Sequence, residues 1–149
     1  MTTEPLASDI IGTFLQLPWH GSELVGFEIG HATSAQALVT FDIVFHAAGS
    51  PDEPTEVRFN EARGIYTDID LLAKRLCSDH IASGYCQRAS DSEEAFVRGL
   101  DERFDLYRGE TMDGLFVFGI DLIHPAGEIL VLARSFTLST GSSMVADTA

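Results

Sequence analysis

Lysine is almost missing. The 149-residue sequence has one, Lys74, and nine basic side chains in all against 23 acidic ones, for a formal net charge of −14. A surface of that sign repels nucleic-acid phosphates and anionic lipid head groups, which argues against direct nucleic-acid binding and against a membrane surface. Cysteine is nearly as scarce. Two residues, Cys77 and Cys86, are too few for a disulfide framework, and free thiols are expected. A bilayer-spanning helix needs ~20 apolar residues, and the longest apolar stretch, Leu115 to Ile120, stops at Asp121. Met1 to Asp9 carries Glu4 and Asp9 and no basic residue before its apolar part, so no signal peptide is expected and the cytoplasm is the default location. A G-x-S-x-G elbow, a G-x-G-x-x-G phosphate loop and a basic patch with interleaved aromatics are absent as well.

What is present is core-forming material. Hydrophobic residues make up 45% of the chain, ten of them Phe, which excludes a disordered chain. No Pro/Gly/Ser linker or repeat divides it, so residues 1–149 read as one domain, with an ordered span of about 10–138 and fraying ends. Val25, Phe27 and Ile29 alternate with Gly26 and Glu28, predicting a half-buried strand. Val39, Phe41, Ile43 and Phe45 alternate with Thr40, Asp42 and Val44, the clearest period of two in the chain. After the turn residues Gly49-Ser50-Pro51-Asp52, Thr55, Val57 and Phe59 make a third inward row.

Residues 65–76 fit two readings. As a helix, Thr67 caps and Ile69, Leu72 and Leu76 share a face; as a strand, Ile65, Thr67, Ile69 and Leu71 alternate with Tyr66, Asp68 and Asp70. The strand is preferred to about Leu72, with a short helix over Lys74 to Ile81 ended by Gly84. Ser90-Asp91-Ser92-Glu93 opens a longer helix with a capping box, and Phe96, Leu100 and Phe104 form its buried stripe. Glu94–Arg98 and Arg98–Glu102 are spaced to pair on its wet side, and Gly109 ends it. Leu115–Ile123 and Ile129–Leu138 flank Pro125-Ala126-Gly127 and read as a central hairpin, apolar on both faces. The expected class is α+β: mainly an antiparallel sheet of five or six strands, with one or two helices inserted before the C-terminal hairpin.

Several residue groups invite a chemical reading. Ser22 and His20 are two apart, a poor spacing for a nucleophile and its base; Trp19 plugging the core and His20 bonding the backbone fit better. Cys77, His80 and Cys86 form C-x₂-H-x₅-C, one close pair and a loose cysteine. Zinc prefers two close pairs, and His46 or His124 would have to complete the set, so no metal is expected. Asp68 and Asp70 would share a strand face, but Ala73 stands where a calcium loop needs glycine. No cofactor is implied.

Two stretches carry a resemblance. Leu17-Pro18-Trp19-His20-Gly21-Ser22-Glu23-Leu24 resembles the W-H-D-S-x-L opening of small, mostly uncharacterised bacterial proteins, some of which look like immunity proteins of polymorphic toxin systems. The run from Asp68 to Ile81 is similar to an acidic strand followed by a K-x-x-C-x-D-x-I turn in the same kind of sequence. Gly21 replaces the aspartate of the opening motif, so that aspartate's role does not carry over. The resemblance implies a compact β-rich domain that neutralises a toxin.

The expected function is a non-enzymatic, acidic protein-binding module, an immunity or inhibitor protein. Its partner would be basic: a toxin, a nuclease or a nucleic-acid-binding effector. The expected docking residues are Glu94, Asp101, Glu102 and Asp105, outside the helix stripe. The alternatives are a phage-type inhibitor that mimics nucleic acid, and a small ligand-binding domain or enzyme with its site near Trp19 and His20 or Cys77 and His80. The sequence leaves the oligomeric state open.

Overall fold

Alternation decides the first large strands. In β3 (Val39–His46) Phe41, Ile43 and Phe45 are buried, and in β4 (Pro54–Asn60) Val57 and Phe59 are. The computed structural model describes residues 2–3, 5–31, 39–47, 53–69, 80–108, 112–124 and 127–140. The remaining strands are β1 (Thr2–Thr3), β2 (Glu23–His31), β5 (Gly64–Thr67), β6 (His80–Arg88), β7 (Phe116–His124), β8 (Gly127–Ala133) and β9 (Ser135–Thr140). The described helices are α1 (Ile10–Leu15) and α2 (Ala95–Arg108), with 3₁₀ turns at Ala7–Asp9 and Ala89–Asp91. None of them is long and apolar enough to cross a membrane.

The expectation of five or six strands with helices inserted before a C-terminal hairpin is wrong. Among the described residues, nine strands form one antiparallel sheet in the order β1-β9-β4-β3-β2-β6-β7-β8-β5, and α1 precedes β2. The expected count already separates β4 from β5; it lacks β1 and β6, the start of the latter being read as the end of a helix, and it runs β8 and β9 together because no Gly or Pro marks Arg134. Glu61, in the left-handed region at φ 51°, separates β4 from β5, and Arg134 separates β8 from β9. The two breaks face each other: Arg134 N–H donates to the Asn60 carbonyl, and Arg134 Nε lies 3.1 Å from Glu61 Oε2. β8 pairs with β5 and β9 with β4, so the C-terminal segment is three strands, and β1 adds Thr2 and Thr3 outside the expected ordered span. Because β4 runs on into β5 and β8 into β9, the two ends of the strand order meet and the sheet closes on itself. The thinnest seam is β2 against β6, with the single register pair Glu23↔His80 among the described residues.

The interior is filled with rings. Phe14, on α1, sits 4.9–6.1 Å from Trp19, Phe59, Phe118 and Phe136, and Trp19 also meets Phe45 at 5.0 Å. A second, smaller core lies outside the sheet. There Val97 and Leu100 of α2 cover Val117, Leu130 and Leu132, while Phe118 and Val131 point the other way.

Other expectations also shift. Ile81 to Gly84 lie in β6, not at the end of a helix, and residues 70–79 fall outside the described ones. The helix begins at Ala95, later than the box at Ser90 predicts. Buried Ser92 takes over, its Oγ accepting from the Glu94 N–H at 3.2 Å. Arg98 turns back to the carbonyls of Ser90 and Ser92, which hold the turn to the helix. Val25, Phe27 and Ile29 are not half-buried but 41–61% exposed. Register sets Phe27 opposite Ile43 and Ile29 opposite Phe41, on the core side of the sheet, but no described strand flanks β2 beyond Glu23 to cover them.

Candidate functional site

The pocket expected at Trp19 and His20 does not form around Trp19. Its ring is only 3% exposed, its Nε1 donates to the Phe14 carbonyl at 2.8 Å, and it lies on Gly84. Exposed His20 has Nδ1 3.2 Å from the Ala82 carbonyl oxygen. Buried Ser22 donates its hydroxyl to the Pro18 carbonyl instead of meeting His20. These contacts fasten the entry to β2 to β6 and leave no nucleophile aimed at solvent.

Cys86 is buried in β6, and burial pushes its thiol up to about 12, far from a reactive thiolate. Cys77 lies outside the described residues, among which no three His, Cys, Asp or Glu side chains converge to hold a metal ion. Asp68 accepts from the Glu128 N–H at 2.8 Å, an internal role; Asp70 is not described.

Two acidic faces are built by strand register. The first lies outside β6, β7 and β8, under the start of α2. Glu128 stands opposite Asp121, Asp121 accepts from Ser83 at 3.3 Å, and Glu94 accepts from the Tyr85 hydroxyl at 3.4 Å. The Tyr85 ring packs against Gly119. Partial burial, then the charges of Glu94, Glu128 and Asp121, push the Tyr85 hydroxyl well above its usual value. Glu128 is raised by burial first, then by Glu94, Asp121 and Asp68. Glu94 is therefore occupied inside the molecule. Of the other expected docking residues, Glu102 is exposed on α2, while the side chains of Asp101 and Asp105 lie outside the described residues.

The second face was not anticipated. Register sets Glu28, Asp42 and Arg58 in one row across β2, β3 and β4, and Gly26, Val44 and Glu56 in the next. Arg58 grips Asp42 with both arms of its fork, Nε to Oδ1 at 3.0 Å and Nη2 to Oδ2 at 3.1 Å, and reaches Glu56 at 3.4 Å. Between the rows lies an open groove of about 340 Å3, and the exposed apolar margin of β2 runs beside it. Three carboxylates 14 residues apart in sequence cannot be recognised as neighbours without the pairing of the strands. The only advance signal was three apolar residues on a strand whose partner was unknown. No family model, no curated protein and no solved structure matches the chain.

Proposed function

We propose that this protein is a non-enzymatic binding module of the inhibitor or immunity type, cytoplasmic, which docks a basic protein through the margin of β2. One observation carries the reading. Val25, Phe27 and Ile29 stand exposed on a single strand of a chain with a net charge of −14; Val25 borders Glu28, Asp42 and Glu56, and Phe27 and Ile29 lie on the other face of the same margin, opposite Ile43 and Phe41. An apolar strip rimmed by polar groups is the usual make-up of a protein-binding surface. The negative field around it favours encounter with a positive partner and speeds association by roughly one to three orders of magnitude. The docking surface thus moves from α2 to the sheet, where the acids border exposed apolar area.

The test is affinity capture from the native host, followed by titration of the purified captured protein. A basic partner is expected, binding more weakly as salt rises because exposed charges are screened over ~8 Å at physiological ionic strength. The double substitution Val25→Ser and Ile29→Ser should leave the fold intact and weaken binding at least tenfold. A partner whose affinity ignores both salt and this pair of substitutions would sink the reading.

A further inference from the structure

Three strand glycines are seats for the chain's own side chains. Leu100 lies on Gly64, Trp19 on Gly84 and Tyr85 on Gly119, each so close that an added Cβ would collide with it. Gly26 offers the same bare backbone, yet nothing stands within 4 Å of the position a Cβ would take. Glycine within a strand weakens it and often marks a place where another group approaches closely. The open space over Gly26 belongs to the groove of about 340 Å3, whose lining combines Val25, Phe27 and Val44 with Glu28, Asp42 and Glu56.

An apolar floor with carboxylate walls suits one kind of side chain, a long apolar stem ending in a cation. The same face already holds one such group. The Arg58 guanidinium spans both oxygens of Asp42 and touches Glu56, while remaining 52% exposed itself. Asp42 and Glu56 are far more covered, at 13% and 18%. These carboxylates are therefore already shaped and partly dehydrated around a planar fork, which a lysine ammonium matches poorly.

Building on the binding reading above, we propose that the groove over Gly26 receives an arginine side chain of the basic partner. Its stem lies across Gly26 and Val44, and its fork takes Asp42, Glu56 and Glu28. Arg58 is the internal stand-in for that arginine and yields its place when the partner docks. The exchange replaces one guanidinium by another, so the carboxylates are never left unpaired.

Two blocked peptides test this, Ac-Val-Arg-Val-Arg-Val-amide and its counterpart with lysine at both basic positions. They are titrated into the full chain by calorimetry, while the backbone amide signals of Gly26, Glu28 and Val44 are followed by NMR. The arginine peptide is expected to bind at least tenfold tighter and to shift those three signals. Arg58→Gln should tighten it at least fivefold, whereas the charge-matched Arg134→Gln, which removes the partner of Glu61 at the strand breaks, should change it less than twofold. Gly26→Leu fills the groove from a backbone position with room for it, and should abolish binding with the melting temperature kept. Equal affinity for the two peptides, or equal effects of the two arginine substitutions, overturns the arginine groove while leaving general docking of a basic protein standing. Absence of binding by either peptide overturns it as well. The wider reading fails separately, through a captured partner indifferent to salt and to the β2 margin.

Discussion

The two acidic faces draw on the same residue types and the same sheet, and they differ in what the acids meet. Outside β6–β7–β8, Glu94, Asp121, Glu128 and Asp68 crowd one another around the Tyr85 phenol, and the charges acting on Glu128 are all acidic. Outside β2–β3–β4, Asp42 and Glu56 share the Arg58 guanidinium and border open space. The crowd raises the proton affinity of Glu128, whereas the second face places a guanidinium between its carboxylates. Acid density alone therefore does not identify a docking surface. What differs is whether the acids face each other under a covering helix or face outward beside a groove.

The widest contrast lies within β3 itself, since Phe41 points into the ring-filled interior and Asp42 onto the second face. Phe41→Ala should cost about 3–5 kcal/mol in chemical denaturation, the range for emptying a buried aromatic site. Asp42→Ala removes a largely surface-side ion pair and should cost no more than about 1 kcal/mol. Similar losses from the two would mean that the face of β3 is misassigned. The glycines come next. Gly119→Ala drives a methyl group into the Tyr85 ring and should destabilise by roughly 1–3 kcal/mol. Gly26→Ala meets nothing and should be neutral or stabilising by up to about 1 kcal/mol. A loss at Gly26 to match that at Gly119 would show that the groove is filled.

The smallest effect concerns pH. Glu128 titrates above its unfolded value, so protonation favours the folded chain. That contribution is complete below the unfolded carboxylate range and is lost as pH rises through the folded value. Glu128→Gln removes the crowded charge. It should raise the melting temperature near pH 8, with the gain disappearing toward about pH 4, where the wild-type carboxyl is protonated. A gain that grew on acidification would contradict the crowding.

Much of the core was legible. Phe41, Ile43, Phe45, Val57 and Phe59 are buried because strict alternation on regularly paired strands leaves one solution. The same rule gives the face of Phe27 and Ile29 but not their burial, because the thin seam with β6 leaves that row without a described neighbour. The helix start was misplaced because Ser90 and Ser92 are both able to cap, and only tertiary burial selects Ser92. The break at Arg134 leaves no local mark, since the arginine is held by Glu61 and by the Asn60 carbonyl on a strand distant in sequence. Glu102 could be placed on an exposed helix face from sequence alone, but the groove could not. It is assembled from β2, β3 and β4 by register, and its floor is a glycine whose meaning depends on what fails to cover it.

The facing breaks also join segments that lie far apart along the chain. The Asn60 side chain bonds Ser135 and Thr137, 75 and 77 residues further along the chain, at the very place where the sheet shuts. Ser135–Thr140 is the last of the nine strands to leave the ribosome, so during synthesis the earlier strands wait with their phenylalanines uncovered. Contacts of such long range close slowly. A net charge of −14 opposes association between copies at that stage.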